Sequence, residues 1–199
     1  MSEIYELMSI QNSAEAQKII EELQIRKAWQ SIGAEVNLVG SLACGLLCKH
    51  LDIDFHVYSD IVNIEDSFRV VAKLATNKFV KKVSYLNFLD TEEVCLQWQL
   101  IYETAQGKNW QIDIVHIKKN SKYDGFFERQ AECIKNALND KTRRLILKLK
   151  YETPENEHIM GIEYYQAVLE AKVQNSQEFT QWRKLHPVQG IIEWLPACN

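Results

Sequence analysis

Two aspartates at i and i+2, a third far along the chain and one Gly-Ser pair are the residues whose types and spacing could do chemistry here. In Leu51-Asp52-Ile53-Asp54-Phe55-His56-Val57-Tyr58 polar and apolar residues alternate. A strand here would carry Asp52, Asp54 and His56 on one face and Ile53, Phe55 and Val57 on the other. With a rise of about 3.3 Å per residue, the two carboxylates start roughly 7 Å apart at the backbone, and their side chains can converge on a hard cation. Left unpaired, they would repel. Asp113 lies in Trp110-Gln111-Ile112-Asp113-Ile114-Val115, an apolar strand context where an ionised group is costly unless it is paired or coordinates metal. Three such acids with Mg²⁺ or Mn²⁺ would suit phosphoryl transfer, because the cation neutralises developing charge and aligns the attacking and leaving oxygens. The alternative is exposed strand-edge carboxylates plus one buried aspartate that holds a turn.

Gly40-Ser41 follows the apolar run Leu38-Val39 and would stand at a strand-to-helix turn. Glycine lets the backbone approach a phosphate, while amides at the following helix start and the Ser41 hydroxyl can donate to it. Neither G-x-x-x-x-G-K-[ST] nor G-x-G-x-x-G occurs, so no P-loop and no dinucleotide fingerprint is present.

Taken together, Gly40, Ser41, Asp52, Asp54 and Asp113 resemble the pattern of the nucleotidyltransferase superfamily that includes DNA polymerase β and small-molecule antibiotic nucleotidyltransferases. That pattern is an apolar strand, Gly-Ser, a spacer of about ten residues, an acid-apolar-acid strand and a third acid on a later strand. The layout from Gly40 through Gly45-Leu46 and Lys49 to Asp52-Ile53-Asp54 is also similar to the GrpB-type branch. The resemblance covers about residues 35–117 and implies a mixed β-sheet with helices on one face and the acids on the open face. It further implies transfer of a nucleoside monophosphate from a nucleoside triphosphate to an acceptor, with release of pyrophosphate. Asp52, Asp54 and Asp113 would be catalytic and hold Mg²⁺ or Mn²⁺, with Asp113 as base toward an acceptor hydroxyl. Gly40, Ser41 and Lys49 would contact phosphates, although Lys49 could equally face solvent. The acceptor would be a small molecule or a protein side chain. The rival reading is an inactive nucleotide-binding or antitoxin-like interaction protein of the same fold.

The elements that must position these residues follow from periodicity. A helix is expected over residues 13–31 with Ser13 as cap, then a strand at 35–39, a helix stub at 42–48, the acidic strand at 51–58 and a helix over 63–76. Runs 83–89, 94–103 and 110–117 suggest antiparallel strands, the last two joined by the turn Gln106-Gly107-Lys108-Asn109. Helices follow at about 124–138, 140–152, 159–173 and 176–185. The expected organisation is an α/β (α+β) core over residues 1–120 and a helical C-terminal region over 121–199 packed on it.

Composition sets the outer limits. With 46% hydrophobic and 25% charged residues among 199, the chain can bury a core, and 7 Gly with 3 Pro are too few turn residues for an all-β sandwich or barrel. The net charge of −4 gives no bulk electrostatic basis for nucleic-acid binding, so nucleic acid is not expected as a partner. Residues 118–150 nevertheless carry ten Lys/Arg against four Asp/Glu, read as a solvated helix face or as a border of the site. Apolar stretches fall short of the roughly 20 residues of a membrane span, and the acidic start is unlike a signal peptide, so a cytoplasmic location without membrane contact is expected. The five cysteines, Cys44, Cys48, Cys95, Cys133 and Cys198, suit reduced thiols better than a disulfide framework. Cys44, Cys48 and His50 are read as packing residues rather than zinc ligands. Trp98, Tyr102 and Trp110 are read as packing or as a base-stacking cluster; Tyr164, Tyr165, Trp182 and Trp194 as helix packing; His56 as hydrogen-bonded or as an acceptor contact; His116 as structural.

Overall fold

The computed structural model describes residues 3–188 and 190–197. Its elements are α1 (Ile4–Leu23), α2 (Ile25–Gln30), β1 (Glu35–Val39), α3 (Gly40–Ala43), β2 (Asp52–Ser59), α4 (Ile64–Ala75) and β3 (Val80–Phe88). They continue as β4 (Cys95–Glu103), β5 (Asn109–Lys118), α5 (Phe126–Ala137), α6 (Asp140–Glu152), α7 (Gly161–Leu169) and α8 (Ser176–Leu185). The strands form one sheet in the order β1-β2-β5-β4-β3. β2 and β5 are parallel, and the other pairings are antiparallel. This is the mixed α/β architecture expected from the sequence.

Alternation in β2 decides which side of the sheet is buried. Ile53, Phe55 and Val57 join Trp98, Leu100, Ile112 and Ile114 in a core closed by α1, α2 and α4. Each such side chain contributes about 1.5–3 kcal/mol when fully buried. Trp98, Tyr102 and Trp110 belong to this core and are buried, so packing, not base stacking, is their role. The opposite face carries the acids. A second core lies toward it, where Cys44, Leu46 and Cys48 pack among residues of α5, α6, α7 and α8. Over β3, β4 and β5 the same face stays partly exposed at Ser84, Leu86, Gln97 and Gln99.

The first helix departs from expectation. It starts at Ile4 rather than near Ser13, and Gln24, at φ 50°, separates it from α2. Glu3 and Glu6 form a capping box at its start, with the Glu3 amide donating to Glu6 Oε2 at 3.0 Å. The apolar pattern breaks at Ser9 and Asn12, which are nevertheless buried. Asn12 Nδ2 donates to the Cys48 carbonyl at 2.7 Å, so a polar residue holds the position where periodicity looks for an apolar one.

Cys44, Cys48 and Cys95 have free, buried thiols, whereas Cys133 is disulfide-bonded, against the expectation of reduced thiols throughout, and Cys198 lies outside the described residues. Among the described residues no helix is long and apolar enough to cross a membrane.

Phe55 is fully buried beneath the acidic face. Phe55→Ala should cost about 3–5 kcal/mol of stability, read as a lower urea midpoint with unchanged slope; a midpoint within error of the wild type would show that β2 is not anchored as described.

Candidate active site

β1 delivers the chain to the acids. Val39, its last residue, is the Cα partner of Asp54, so the turn that follows lies directly against that carboxylate. Gly40 has φ +68°, and a Cβ there would overlap Asp54 Oδ2. Both the backbone conformation and the close approach therefore require glycine. Ser41 comes next, in the single turn of α3.

The parallel register of β2 and β5 sets Asp54 beside Asp113 and Asp52 beside Gln111, so the three carboxylates share one sheet face. Asp52 and Asp54 make no hydrogen bond or ion pair among the described residues. Burial, reinforced by the charges of Asp52 and Asp113, pushes the Asp54 carboxyl up to about 7. Burial, and then the charge of Asp113, also raises Asp52. Asp113 is raised by burial and partly restored by two amides: Gln111 Nε2 donates to its Oδ2 at 2.7 Å and Gln99 Nε2 to its Oδ1 at 3.3 Å. Oxygen donors that lack a partner and repel one another fit a hard divalent cation in type. Among the described residues no three acids are drawn together as a ready-made metal cluster. The unpaired donors are Asp52 and Asp54, while Asp113 is engaged by its glutamines.

Opposite these acids stand donors that the sequence reading missed. Lys150, at the end of α6, is 7% exposed. Its Nζ donates to Ser41 Oγ at 2.8 Å, to the Leu46 carbonyl at 3.0 Å and to Tyr165 Oη at 3.0 Å. Burial brings its ammonium down to about 8, against the opposing pull of nearby thiols and of Asp52 and Asp54. Ser41 Oγ and Tyr165 Oη are 3.0 Å apart. Each already accepts from Lys150, so one of the two hydroxyl protons closes their mutual bond and the other has no acceptor among the described residues. Tyr165, expected only to pack helices, thus reaches the Gly-Ser turn. Lys49, expected as a phosphate contact, points elsewhere, its Nζ donating to the carbonyls of Tyr151, at 3.1 Å, and Thr153. Of the ten Lys and Arg residues in the stretch 118–150, Lys150 is the one that hydrogen-bonds to Ser41 among the described residues, while the stretch's uncharged α5 residues line the cavity beside it.

Gly40, Ser41, Asp52, Asp54 and Tyr165 line a cavity of about 400 Å³. Its other walls are Phe127, Gln130 and Ile134 of α5, Met160 and Ile162 at the start of α7, and residues 190–192. Gln130 Nε2 ties that last segment down through the carbonyls of Ile192 at 3.3 Å and Trp194 at 2.7 Å. His56 also lines the cavity, lies 3.4 Å from Tyr58 Oη and is lowered to about 4 by burial, which makes it a neutral hydrogen-bonding group. His116 faces the other way, between Ser59 and Ser67, in keeping with a structural role. The Cys44 and Cys48 thiols donate to the carbonyls of Ala131 and Leu147, both at 3.7 Å, and no zinc cluster forms around them among the described residues.

A family model described as a nucleotidyltransferase domain matches residues 17–142. No curated protein sequence matches the chain. Among solved structures it is similar to a cytoplasmic RNA terminal U-transferase, at 19% identity over 80% of this chain and 47% of that one, with a TM-score of 0.53. It is also similar to the Cid1 poly(U) polymerase described with MgGTP bound, at 18% identity over 80% and 50% of the two chains, with a TM-score of 0.57. A third likeness is to the GLD-2/GLD-3 poly(A) polymerase complex, at 10% identity over 94% and 64%, with a TM-score of 0.54. At such identities the likeness shows the fold alone, and the chain spans about half the length of the first two structures. The expectation that nucleic acid is no partner draws no support from these neighbours, which are an RNA terminal U-transferase, a poly(U) polymerase and a poly(A) polymerase.

The acid row has a consequence for stability. Between the ordinary carboxyl value of 3.8 and about 7, the folded chain keeps on Asp54 a proton that the unfolded chain has released, so stability falls as pH rises across that window. In chelator-treated buffer, Asp54→Asn should melt above the wild type at pH 8, by roughly 2–4 °C for each kcal/mol relieved, and the gap should close near pH 4. An Asn variant that melts no higher than the wild type at pH 8 would contradict the repulsion described.

Proposed function

Because the chain belongs to the nucleotidyltransferase domain family, we propose that it transfers a nucleoside monophosphate from a nucleoside triphosphate to a small-molecule or protein side-chain hydroxyl, with dependence on a divalent cation. The observation that carries this reading is that one cavity is lined both by carboxylates without hydrogen-bond partners, Asp52 and Asp54, and by the hydroxyls of Ser41 and Tyr165, behind which the buried Lys150 ammonium donates to both oxygens. A triphosphate complexed with a cation has the complementary charge pattern.

In this reading Asp52 and Asp54 hold Mg²⁺ or Mn²⁺, which supplies neutralisation of the triphosphate charge when bound. Gly40 lets the Asp54 carboxylate lie against the turn, and the free hydroxyl proton of the Ser41 and Tyr165 pair donates to a phosphate in the cavity that both line. Lys150 keeps both oxygens in place and adds positive charge behind them. Asp113, raised by burial, accepts the proton of the acceptor hydroxyl. That oxygen then bonds to the α-phosphorus, the bond from the α-phosphorus to the bridging oxygen breaks, and pyrophosphate leaves with the bond electrons. Electrostatic positioning of this kind is the main catalytic contribution a protein makes to such a transfer. The hold of Gln111 and Gln99 on Asp113 favours one second reading, a nucleotide-binding protein of this fold that performs no transfer.

Thermal melts with each of the four nucleoside triphosphates and Mg²⁺, followed by a pyrophosphate assay with candidate acceptors, separate the two. Transfer requires a nucleotide-dependent rise in melting temperature and acceptor-dependent pyrophosphate release, both lost in Asp54→Asn. Lys150→Met should weaken nucleotide binding about 10- to 100-fold, the equivalent of the ~1.5–3 kcal/mol of a hydrogen bond to a charged group. A melting shift without pyrophosphate from any acceptor supports the second reading, and no shift with any nucleotide contradicts both.

A further inference from the structure

Beyond Asp54 along β2 the cavity changes character. His56, two residues further on the same sheet face, stands edge-on to Phe127 of α5, with ring centroids 4.9 Å apart and planes at 86°. Gln130 follows three residues later on the same side of α5. Facing them is the segment after residue 190, whose Ile191 and Ile192 add apolar wall. That segment is clasped at Glu193, whose Oε1 accepts from Tyr123 Oη and Lys122 Nζ, both at 2.9 Å. Apolar walls here suit the ring of a base better than a phosphate, and the polar groups set among them can read that base.

Two such groups are held in fixed orientation, and both are acceptors. Gln130 Nε2 spends its two protons on the carbonyls of Ile192 and Trp194, which leaves Oε1 to accept. His56 is oriented from behind. Tyr58 Oη gives its only proton to Glu128 Oε2 at 2.8 Å, so its contact with His56 Nδ1 at 3.4 Å requires the proton on Nδ1. Glu128 Oε1, buried without a hydrogen bond and 4.0 Å from Nδ1, draws that proton the same way. Nε2 of the neutral ring is therefore a bare lone pair. Neither Gln130 Oε1 nor His56 Nε2 has a hydrogen bond among the described residues, neither is enclosed on all sides, and both residues line the cavity.

We propose that His56 and Gln130 select the nucleotide by its base, receiving the exocyclic amino group of adenine or cytosine and turning away uracil. Uracil carries a carbonyl oxygen where cytosine carries the amino group, and an oxygen set against two acceptors leaves all three without a proton to share. Discrimination by unpaired buried polar groups is stronger than discrimination by shape alone. Tyr58 and Glu128 act through His56 as positioning residues. The inference rests on the reading of this cavity as a nucleoside triphosphate site.

Calorimetric titration of the full chain with ATP, CTP, UTP and purine riboside triphosphate, each with Mg²⁺, tests it. ATP and CTP should bind at least about tenfold more tightly than UTP, the equivalent of one well-made hydrogen bond. Purine riboside triphosphate, which is ATP without the amino group, should fall to the level of UTP. His56→Phe keeps the ring against Phe127 and removes Nε2, so it should bring UTP within about twofold of ATP. If that variant does not fold, the comparison of ATP with purine riboside triphosphate on the wild type decides alone. UTP bound as tightly as ATP, no loss on removing the amino group, or discrimination unchanged in a folded His56→Phe overturns the proposal. Binding of all four nucleotides without preference removes only the selectivity, whereas binding of none removes the nucleotide reading with it.

Discussion

The carboxylate of Asp54 occupies the space where any residue but glycine would place its Cβ at position 40, and much of the site depends on that close approach. It ties the end of β1 to the middle of β2, fixes the direction of the chain into α3, and so determines where Ser41 can stand. Once Ser41 is there, Lys150 and Tyr165 from two later helices have a partner to converge on. The sheet thus supplies the acids, the turn supplies the backbone approach, and the helices after β5 supply the positive charge.

The electrostatics are unfavourable taken alone. Burial raises the proton affinity of all three carboxylates, the charges of their neighbours raise Asp52 and Asp54 further, and burial depresses the Lys150 ammonium nearby. Groups of opposite charge share the neighbourhood without forming a direct ion pair: the lysine is committed to a serine, a tyrosine and a backbone carbonyl, and the acids have room beside them. Stored repulsion of this kind is common at functional sites, and a ligand that brings both a cation and phosphates would relieve both halves at once.

Much of this was legible in the sequence. Strict alternation from Asp52 to Val57 gave the strand and its two faces, Asp113 in an apolar run gave a neighbouring strand, and Gly40-Ser41 marked the turn between β1 and β2. What escaped was non-local or polar. Lys150 is 109 residues from Ser41 and Tyr165 is 124 away, and nothing in local periodicity tells a lysine or tyrosine that packs from one that reaches a distant turn. Lys49 drew attention because it is close in sequence, yet its side chain turns to the C-terminal carbonyls of α6. The early start of α1 was hidden by the buried polar residues Ser9 and Asn12. Gln99 and Gln111 gave no signal at all, since their roles follow from strand register, which a single sequence does not reveal.

The most direct test is crystallographic: Mn²⁺ and a non-hydrolysable nucleoside triphosphate analogue soaked or grown with the full chain. The account requires anomalous density between Asp52 and Asp54 and phosphate oxygens within hydrogen-bond distance of the Ser41 and Tyr165 hydroxyls. Manganese bound elsewhere, or a triphosphate seated away from the Gly40-Ser41 turn, would contradict it.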